Sequence, residues 1–151
     1  MNSNERISKG LSGIAGEYFV AAELSRRGFM ASITLRNNDS IDIHASNFKK
    51  EKIYAIQVKT NQLGGRSWVL NKKSENKFNN NFFYIFVSLK DEFERPDFFI
   101  VPSKVVSNFV KNSHSTWLET LGRKGQLHND TNMRKFEDKK GVYLEKWDLL
   151  N

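Results

Sequence analysis

Three polar residues stand on short segments that otherwise have the pattern of β-strands. Residues 53–60 are rich in β-branched and aromatic residues, which is typical of a strand within a sheet. Side chains two positions apart on a strand share a face, so Gln57 and Lys59 point to the same side. By the same rule Asp42 takes one face of the segment 40–45. If the two strands pair, we expect Asp42, Gln57 and Lys59 to converge.

An acidic residue on the first predicted helix can join this group. Glu17 has Gly13 and Ala21 as its neighbours four residues away, and both are small enough for the helix to lie close to the sheet. A carboxylate on such a stripe is costly to bury unless a cation pairs with it. Lys59 or a metal ion would supply that cation.

These four side chains suit the metal-assisted hydrolysis of a phosphodiester. Asp42, Gln57 and Glu17 offer the hard oxygen ligands that Mg²⁺ (or Mn²⁺) prefers, and Mg²⁺ binds substrate phosphates as well. A metal so held polarises the phosphoryl group and supplies a hydroxide near neutral pH. Lys59 would orient the attacking water or offset the negative charge that develops in the transition state.

Each residue also has a plainer interpretation. Lys59 could be an exposed lysine at a strand end, and Glu17 a surface acid that pairs with a lysine. Asp42 could be a solvated carboxylate near a turn, where Asp39 competes for the same role. His44 shares the face of Asp42, and we expect it to be either hydrogen-bonded within the fold or solvated.

Basic residues elsewhere in the chain could extend a binding surface. Arg36, Lys72, Lys73 and Lys77, with Trp68 nearby, could line a groove for phosphates, although a solvated loop explains them equally well.

The other two histidines carry no signal for a metal site. His114 stands three residues before Trp117, which packing on a helix explains, and His128 lies in a polar stretch. The three histidines of the chain have no metal-ligand spacing between them.

The composition limits the class of protein. The chain has 151 residues, and we expect residues 1–151 to form a single domain. A formal net charge of +7 favours a polyanionic partner such as nucleic acid. The absence of Cys excludes disulfides, thiolate zinc sites and a cysteine nucleophile. Neither a signal peptide nor a run of ~18 apolar residues is present, so the sequence predicts a cytoplasmic protein that does not bind membranes.

The elements that would position the polar residues can be read from hydrophobic patterns and turn signals. The helix over 8–27 rests on a periodic apolar pattern formed by Leu11, Ile14, Ala15, Tyr18, Phe19 and Ala22. Strands are predicted over 30–35, 40–45, 53–60, 67–70, 82–89 and 97–101, and a second helix runs from Pro102 through Val110. The segment 82–89, FFYIFVSL, is the most apolar run and is predicted to be an interior strand. Beyond residue 112 the signals weaken, residues 124–140 are polar, and residues 142–150 fit a strand or a short helix. The prediction is an α/β fold with one mixed sheet flanked by helices.

Three motifs in this order resemble the PD-(D/E)XK nuclease superfamily. They are GIAGEYFVAA over 13–22, SIDI over 40–43 and IQVKT over 56–60. Within that superfamily they resemble the small branch of Holliday-junction resolvases and of a group I intron homing endonuclease that carries Q-x-K. The resemblance implies a restriction-endonuclease-like αβββαβ core. It also implies that Glu17 is the acid on the helix, Asp42 the metal-binding aspartate, and Gln57 and Lys59 the (D/E/Q)-x-K pair.

Two departures from that pattern leave the activity open. Ser40 and Ile41 stand where the motif has its proline, and Gln57 replaces the usual acid, which removes one negative charge from the metal site. The first hypothesis is therefore a Mg²⁺-dependent endonuclease that cleaves DNA, in which cutting both strands would call for a homodimer. The second is a catalytically silent module that binds nucleic acid or serves a defence or repair system. A third is a basic interaction protein with a relic site.

Overall fold

A five-stranded mixed sheet forms the centre of the structure, a computed structural model that describes residues 6–35 and 41–150. The elements are α1 (Lys9–Ser25), β1 (Met30–Ile33), β2 (Ile43–Asn47), β3 (Lys52–Asn61), β4 (Ser67–Asn71), β5 (Phe82–Ser88), β6 (Asp97–Pro102), α2 (Ser103–Glu119) and β7 (Met133–Glu137), with 3₁₀ helices at Lys72–Glu75 and Trp147–Leu150. Within the described residues, no helix is long and apolar enough to cross a membrane.

The strand order in the main sheet is β1-β2-β3-β5-β6. The neighbours β3 and β5 are parallel, whereas the other neighbouring strands are antiparallel. All seven residues of β5 are buried, which confirms the prediction that this apolar run is an interior strand. Strands β4 and β7 form a separate two-stranded sheet.

The two faces of the main sheet carry different cores. On one face Val20 of α1 packs with aliphatic residues of the sheet such as Ile43 and Ile56. On the other face α2 and the small sheet enclose aromatic rings, among them Trp68 and Tyr84. Alternation along β3 therefore directs Ile56 to the α1 face and Gln57 to the α2 face.

The first helix is confirmed, but the residues behind its periodic pattern do not form its buried face. Leu11 is 58% exposed and Tyr18 is 65% exposed, whereas Gly16, Val20 and Leu24 are buried against the sheet. A side chain at position 16 would collide with β3, so the chain places glycine at the closest approach. The helix begins after Ser8, whose side chain accepts a hydrogen bond from the Leu11 N–H.

The crossover between β3 and β5 contains β4 and the 3₁₀ helix Lys72–Glu75, where the resemblance implied an α-helix. The long second helix comes after β6 and continues to Glu119, nine residues past the predicted stretch that ended at Val110. Residues 142–150 end in the 3₁₀ helix Trp147–Leu150, so the short helix is the correct alternative there.

Strand β7 lies in a segment for which the sequence predicts only polar chain. Phe136 pairs with Trp68 of β4, and Arg134 is buried because it forms an ion pair with Glu75. The two contacts join residues 68 and 59 positions apart in the sequence, so no local pattern predicts the strand.

Candidate active site

The pairing of β2 with β3 brings Asp42 to the predicted polar stripe. Ile43 pairs with Ile56, and the Asp42 N–H continues this ladder by donating to the Ile56 carbonyl at 2.8 Å. Two residues further along β3, the Val58 N–H donates to a side chain rather than to a backbone carbonyl: its acceptor is Asp42 Oδ2, at 2.7 Å. A backbone N–H within a sheet needs a hydrogen-bond acceptor, so this bond from Val58 fixes the position of the Asp42 carboxylate. The carboxylate therefore lies beside the β3 backbone, between Gln57 and Lys59.

Gln57 and Lys59 line a small cavity on the α2 face. Its volume is about 30 Å³, and its other lining residues are Leu70, Asn71, Lys73, Ser74, Lys77 and Tyr84. The lining holds three lysines and no carboxylate, so the cavity has a positive electrostatic character. Burial raises the pKa of the Tyr84 phenol to about 12, so this hydroxyl stays a neutral hydrogen-bond donor at physiological pH.

Lys59 is half-buried and positioned for an external anion. No carboxylate forms an ion pair with it among residues 6–35 and 41–150. Removing part of an ammonium's hydration without supplying a counter-charge is unfavourable, and a bound anion would compensate for that cost. The arrangement therefore suits the binding of a phosphate oxygen.

Glu17 lies on α1, which packs on the opposite face of the sheet from Gln57 and Lys59. Its neighbour Gly16 contacts Thr60, and the Gln62 side chain donates to the Ile7 carbonyl at 3.0 Å, so the start of α1 runs along the end of β3. The structure thus gathers Asp42, Gln57 and Lys59 at one place, and it places Glu17 on the adjacent helix, one residue from the helix–strand contact.

The residues considered for a phosphate groove do not all come together in the structure. Lys73 and Lys77 line the cavity, and Lys72 forms an ion pair with Asp130. The inclusion of Trp68 is wrong, because its ring is in the core and its Nε1–H donates to the Val87 carbonyl. Arg36 and Asp39 lie outside the described residues.

Tyr84 is the cavity residue that the sequence interpretation missed. It sits in the apolar run FFYIFVSL and was assigned to an interior strand, where it is indeed found. The available signal was its hydroxyl, because a buried tyrosine needs a polar neighbour for that group. Its position opposite Gln57 on β5 supplies a polar neighbourhood.

Two of the histidines, His114 and His128, have structural partners. The His114 ring hydrogen-bonds to Asp130 at 2.8 Å, and His128 stacks on Trp117 with ring centroids 4.0 Å apart. His128 was predicted to carry no signal, yet its ring fastens the segment before β7 to α2. Hydrogen bonds from Lys72 and His114 lower the pKa of Asp130.

The donor set fits a sparse cation site. Among the described residues no cluster of three or more His, Cys, Asp or Glu side chains has the geometry of a metal site. Mg²⁺ does not require such a cluster, because it keeps several waters and takes one or two carboxylates together with substrate phosphates. Asp42 uses Oδ2 for the Val58 N–H, which leaves Oδ1 for a cation, and the Gln57 amide oxygen is a neutral ligand on the same stretch of β3.

Comparisons with known proteins identify the fold. No protein-family model matches the sequence, and no curated protein matches it at a significant level. Hjc, a Holliday junction resolvase from the archaeal hyperthermophile Archaeoglobus fulgidus, is 16% identical with a TM-score of 0.49, over 87% of this chain and 86% of Hjc. The bacterial homing endonuclease I-Ssp6803I is 17% identical with a TM-score of 0.54, over 96% of this chain and 92% of that protein. The chain therefore has the same fold as this homing endonuclease, the restriction-endonuclease-like fold that its motifs predicted.

Proposed function

We propose that this protein is a Mg²⁺-dependent endonuclease that hydrolyses phosphodiester bonds in DNA. The observation that carries the proposal is the Asp42 carboxylate, which accepts the Val58 N–H between Gln57 and Lys59. A carboxylate, an amide and a lysine with no described counter-ion share one stretch of sheet beside a positively charged cavity. The structural likeness to a homing endonuclease supports the choice of DNA as substrate.

Each side chain has a role in this proposal. Asp42 and Gln57 would hold Mg²⁺ or Mn²⁺, and Glu17 would join them from α1, past the end of β3 where the helix and the strand meet. The ion, when bound, would polarise the phosphoryl group and acidify a coordinated water. Lys59 contacts a non-bridging phosphate oxygen or the attacking water, and its charge offsets the negative charge of the transition state. The Tyr84 phenol and Lys73 bind phosphate oxygens at the wall of the cavity.

A cleavage assay tests this function. Supercoiled plasmid incubated with the protein and Mg²⁺ or Mn²⁺ should be nicked, and Lys59→Ala should reduce the rate at least ~100-fold because a charge-stabilising donor is lost. Lys111→Ala, which removes an exposed lysine of α2, is the matched control and should cleave normally. Nicking that persists in Lys59→Ala would assign the activity to another site or to a contaminant.

Homodimerisation belongs to the same proposal. One copy of the site cuts one strand, so cutting both strands of a duplex calls for two copies. Sedimentation of the protein alone and with duplex DNA measures this directly. A monomer on DNA that releases only nicked product would limit the proposal to a nickase.

A second candidate is a DNA-binding module without catalysis. The observation that favours it is Gln57 at the position of the usual acid, together with the absence of a three-acid cluster among the described residues. This candidate predicts salt-sensitive DNA binding and intact plasmid under all metal conditions. The plasmid assay therefore separates the two candidates.

A further inference from the structure

A second and larger cleft lies beside the lysine cavity on the same side of the sheet. Its volume is about 380 Å³, and its lining includes Ile41, His44, Ile53, Phe78 and Phe82. Ala55 lines this cleft and Gln57 lines the cavity, and the two residues are successive positions on one face of β3. Lys77 lines both spaces, so they adjoin each other.

The two spaces differ in size and chemistry. A water-sized sphere needs roughly 10–15 Å³, so the lysine cavity admits about two such groups and suits phosphate oxygens. The cleft falls within the ~300–1,000 Å³ of pockets that bind small organic groups. Its lining is mainly aliphatic and aromatic, which favours a flat apolar ring over an anion.

Phe78 is held at the surface of this cleft by a fixed backbone. Its ring remains 46% exposed, while on the next residue the Asn79 N–H and carbonyl both bond to Ser103 Oγ, at 3.1 and 3.0 Å. The Asn81 carbonyl accepts from the Ala55 N–H at 2.9 Å, which ties the same segment to β3. The ring is thus presented to solvent by an ordered segment.

Two lysines border the aromatic side of the cleft. Lys104 Nζ lies 3.8 Å from the centroid of the Phe78 ring, and Lys77 Nζ lies 5.4 Å from the centroid of the Phe82 ring. Positive charge beside an exposed ring is the combination by which proteins hold single-stranded nucleic acid, with bases on the rings and phosphates on the cations.

We propose that this cleft binds an unstacked nucleobase, with Phe78 as its stacking surface. The base belongs to the strand whose phosphate occupies the cavity at Gln57 and Lys59, so the preferred substrate has an unpaired nucleotide beside the reacting phosphate. The choice of nucleic acid as the ligand rests on the proposed function. Because the cavity and the cleft adjoin at Lys77, one strand would place its phosphate in the cavity and the neighbouring base in the cleft, with Lys77 between them.

Binding measured without metal tests this proposal separately from cleavage. The probes are single-stranded oligothymidylate, an abasic oligonucleotide of the same length, and a fully paired duplex, all in EDTA. Because a base stacked on an aromatic ring contributes measurably to affinity, the wild-type protein should bind oligothymidylate roughly five- to hundredfold more tightly than the abasic strand. The two strands carry equal numbers of phosphates, so the ratio reports base contacts.

Variants test whether this ratio of affinities for oligothymidylate and the abasic strand depends on Phe78. Phe78→Ala should bring it close to one and leave the affinity for duplex unchanged, whereas Phe78→Trp should preserve it. Phe93→Ala is the matched control, since Phe93 is a 90% exposed ring on the turn before β6, and it should behave as wild type. If circular dichroism shows Phe78→Ala to be unfolded, Phe78→Leu keeps the apolar bulk, removes the ring and should lower the ratio.

The outcomes separate the two proposals. A wild-type protein that does not distinguish oligothymidylate from the abasic strand, or a ratio unchanged in Phe78→Ala, would overturn the base cleft whatever the plasmid assay shows. A ratio that depends on Phe78 in a protein that never cleaves plasmid would support the cleft and reject the endonuclease.

Discussion

At the scale of single residues, the candidate site depends on one carboxylate that finishes a strand ladder. Asp42 precedes β2, and its side chain takes the Val58 N–H that a further β2 residue would otherwise pair. The same group that completes the local hydrogen bonding therefore also presents a carboxylate beside Gln57 and Lys59. This dual use explains why an acid is suited to position 42 whether or not the site is active.

Gln57→Glu tests the role of position 57 as a ligand. A second carboxylate beside Asp42 should raise the affinity for Mn²⁺ at least ~10-fold, because a charged oxygen binds a divalent cation more strongly than an amide oxygen. Isothermal titration calorimetry measures the affinity. Gln126→Glu adds the same charge at an exposed position and should have no effect. Equal affinities for wild type and Gln57→Glu would exclude position 57 from the metal site.

At the scale of elements, a glycine at position 16 allows α1 to pack closely against β3. A Cβ placed on Gly16 would lie 1.9 Å from Thr60 Oγ1 and 3.1 Å from Thr60 Cβ, and threonine is too short and stiff to move aside. A Cβ placed on Gly13, one turn earlier in α1, would meet nothing within 4 Å. The sequence predicts a close approach of α1 along the stripe of Gly13 and Ala21, whereas the closest contact lies at position 16.

Gly16→Ala and Gly13→Ala form a matched pair that tests this docking. Gly16→Ala should destabilise the protein by about 1–3 kcal/mol through overpacking. Gly13→Ala should stabilise it by up to about 1 kcal/mol, because alanine favours the helix. Urea denaturation measures both. Adding Thr60→Ala to Gly16→Ala should recover part of the loss. Equal effects of the two single substitutions would contradict the proposed contact.

At the scale of the whole molecule, an ion-pair network around the buried Glu23 joins three distant parts of the chain. Glu23 near the end of α1 accepts hydrogen bonds from Arg95 at 3.0 and 3.2 Å, and Arg95 also binds Glu145 at 2.7 Å. Arg27 lies over the Trp147 ring at 4.3 Å. The hydrogen bond from Arg95 is the main reason that the pKa of Glu23 falls from 4.5 to about 2.

The pH dependence of stability should reflect this network. Because the folded-state pKa of Glu23 lies below its unfolded value, its contribution is complete above pH 4.5 and declines as the pH falls towards 2. One pKa unit corresponds to about 1.4 kcal/mol, so about 3 kcal/mol is the upper bound of this contribution, and solvent screening of the 46% exposed Arg95 reduces it. The free-energy difference between wild type and Glu23→Gln, from urea denaturation, should shrink steadily below pH 4.5. Glu119→Gln, at an exposed position of α2, should show no such trend.

The parts of the fold that could be predicted have signals within a few neighbouring residues. The alternation along β3 placed Gln57 and Lys59 on one face, and the apolar run of β5 marked an interior strand. The motifs around Glu17, Asp42 and Lys59 were sufficient to indicate the restriction-endonuclease-like fold.

Other features of the molecule were decided by tertiary contacts alone. Strand β7 exists because β4 pairs with it and Glu75 neutralises Arg134, and the cavity exists because Lys73 and Lys77 meet β3 across the crossover. Sequence periodicity reports which residues can share a face, since that depends on local backbone geometry. Which face is buried, and which distant side chains complete a site, depends on long-range packing that periodicity does not encode.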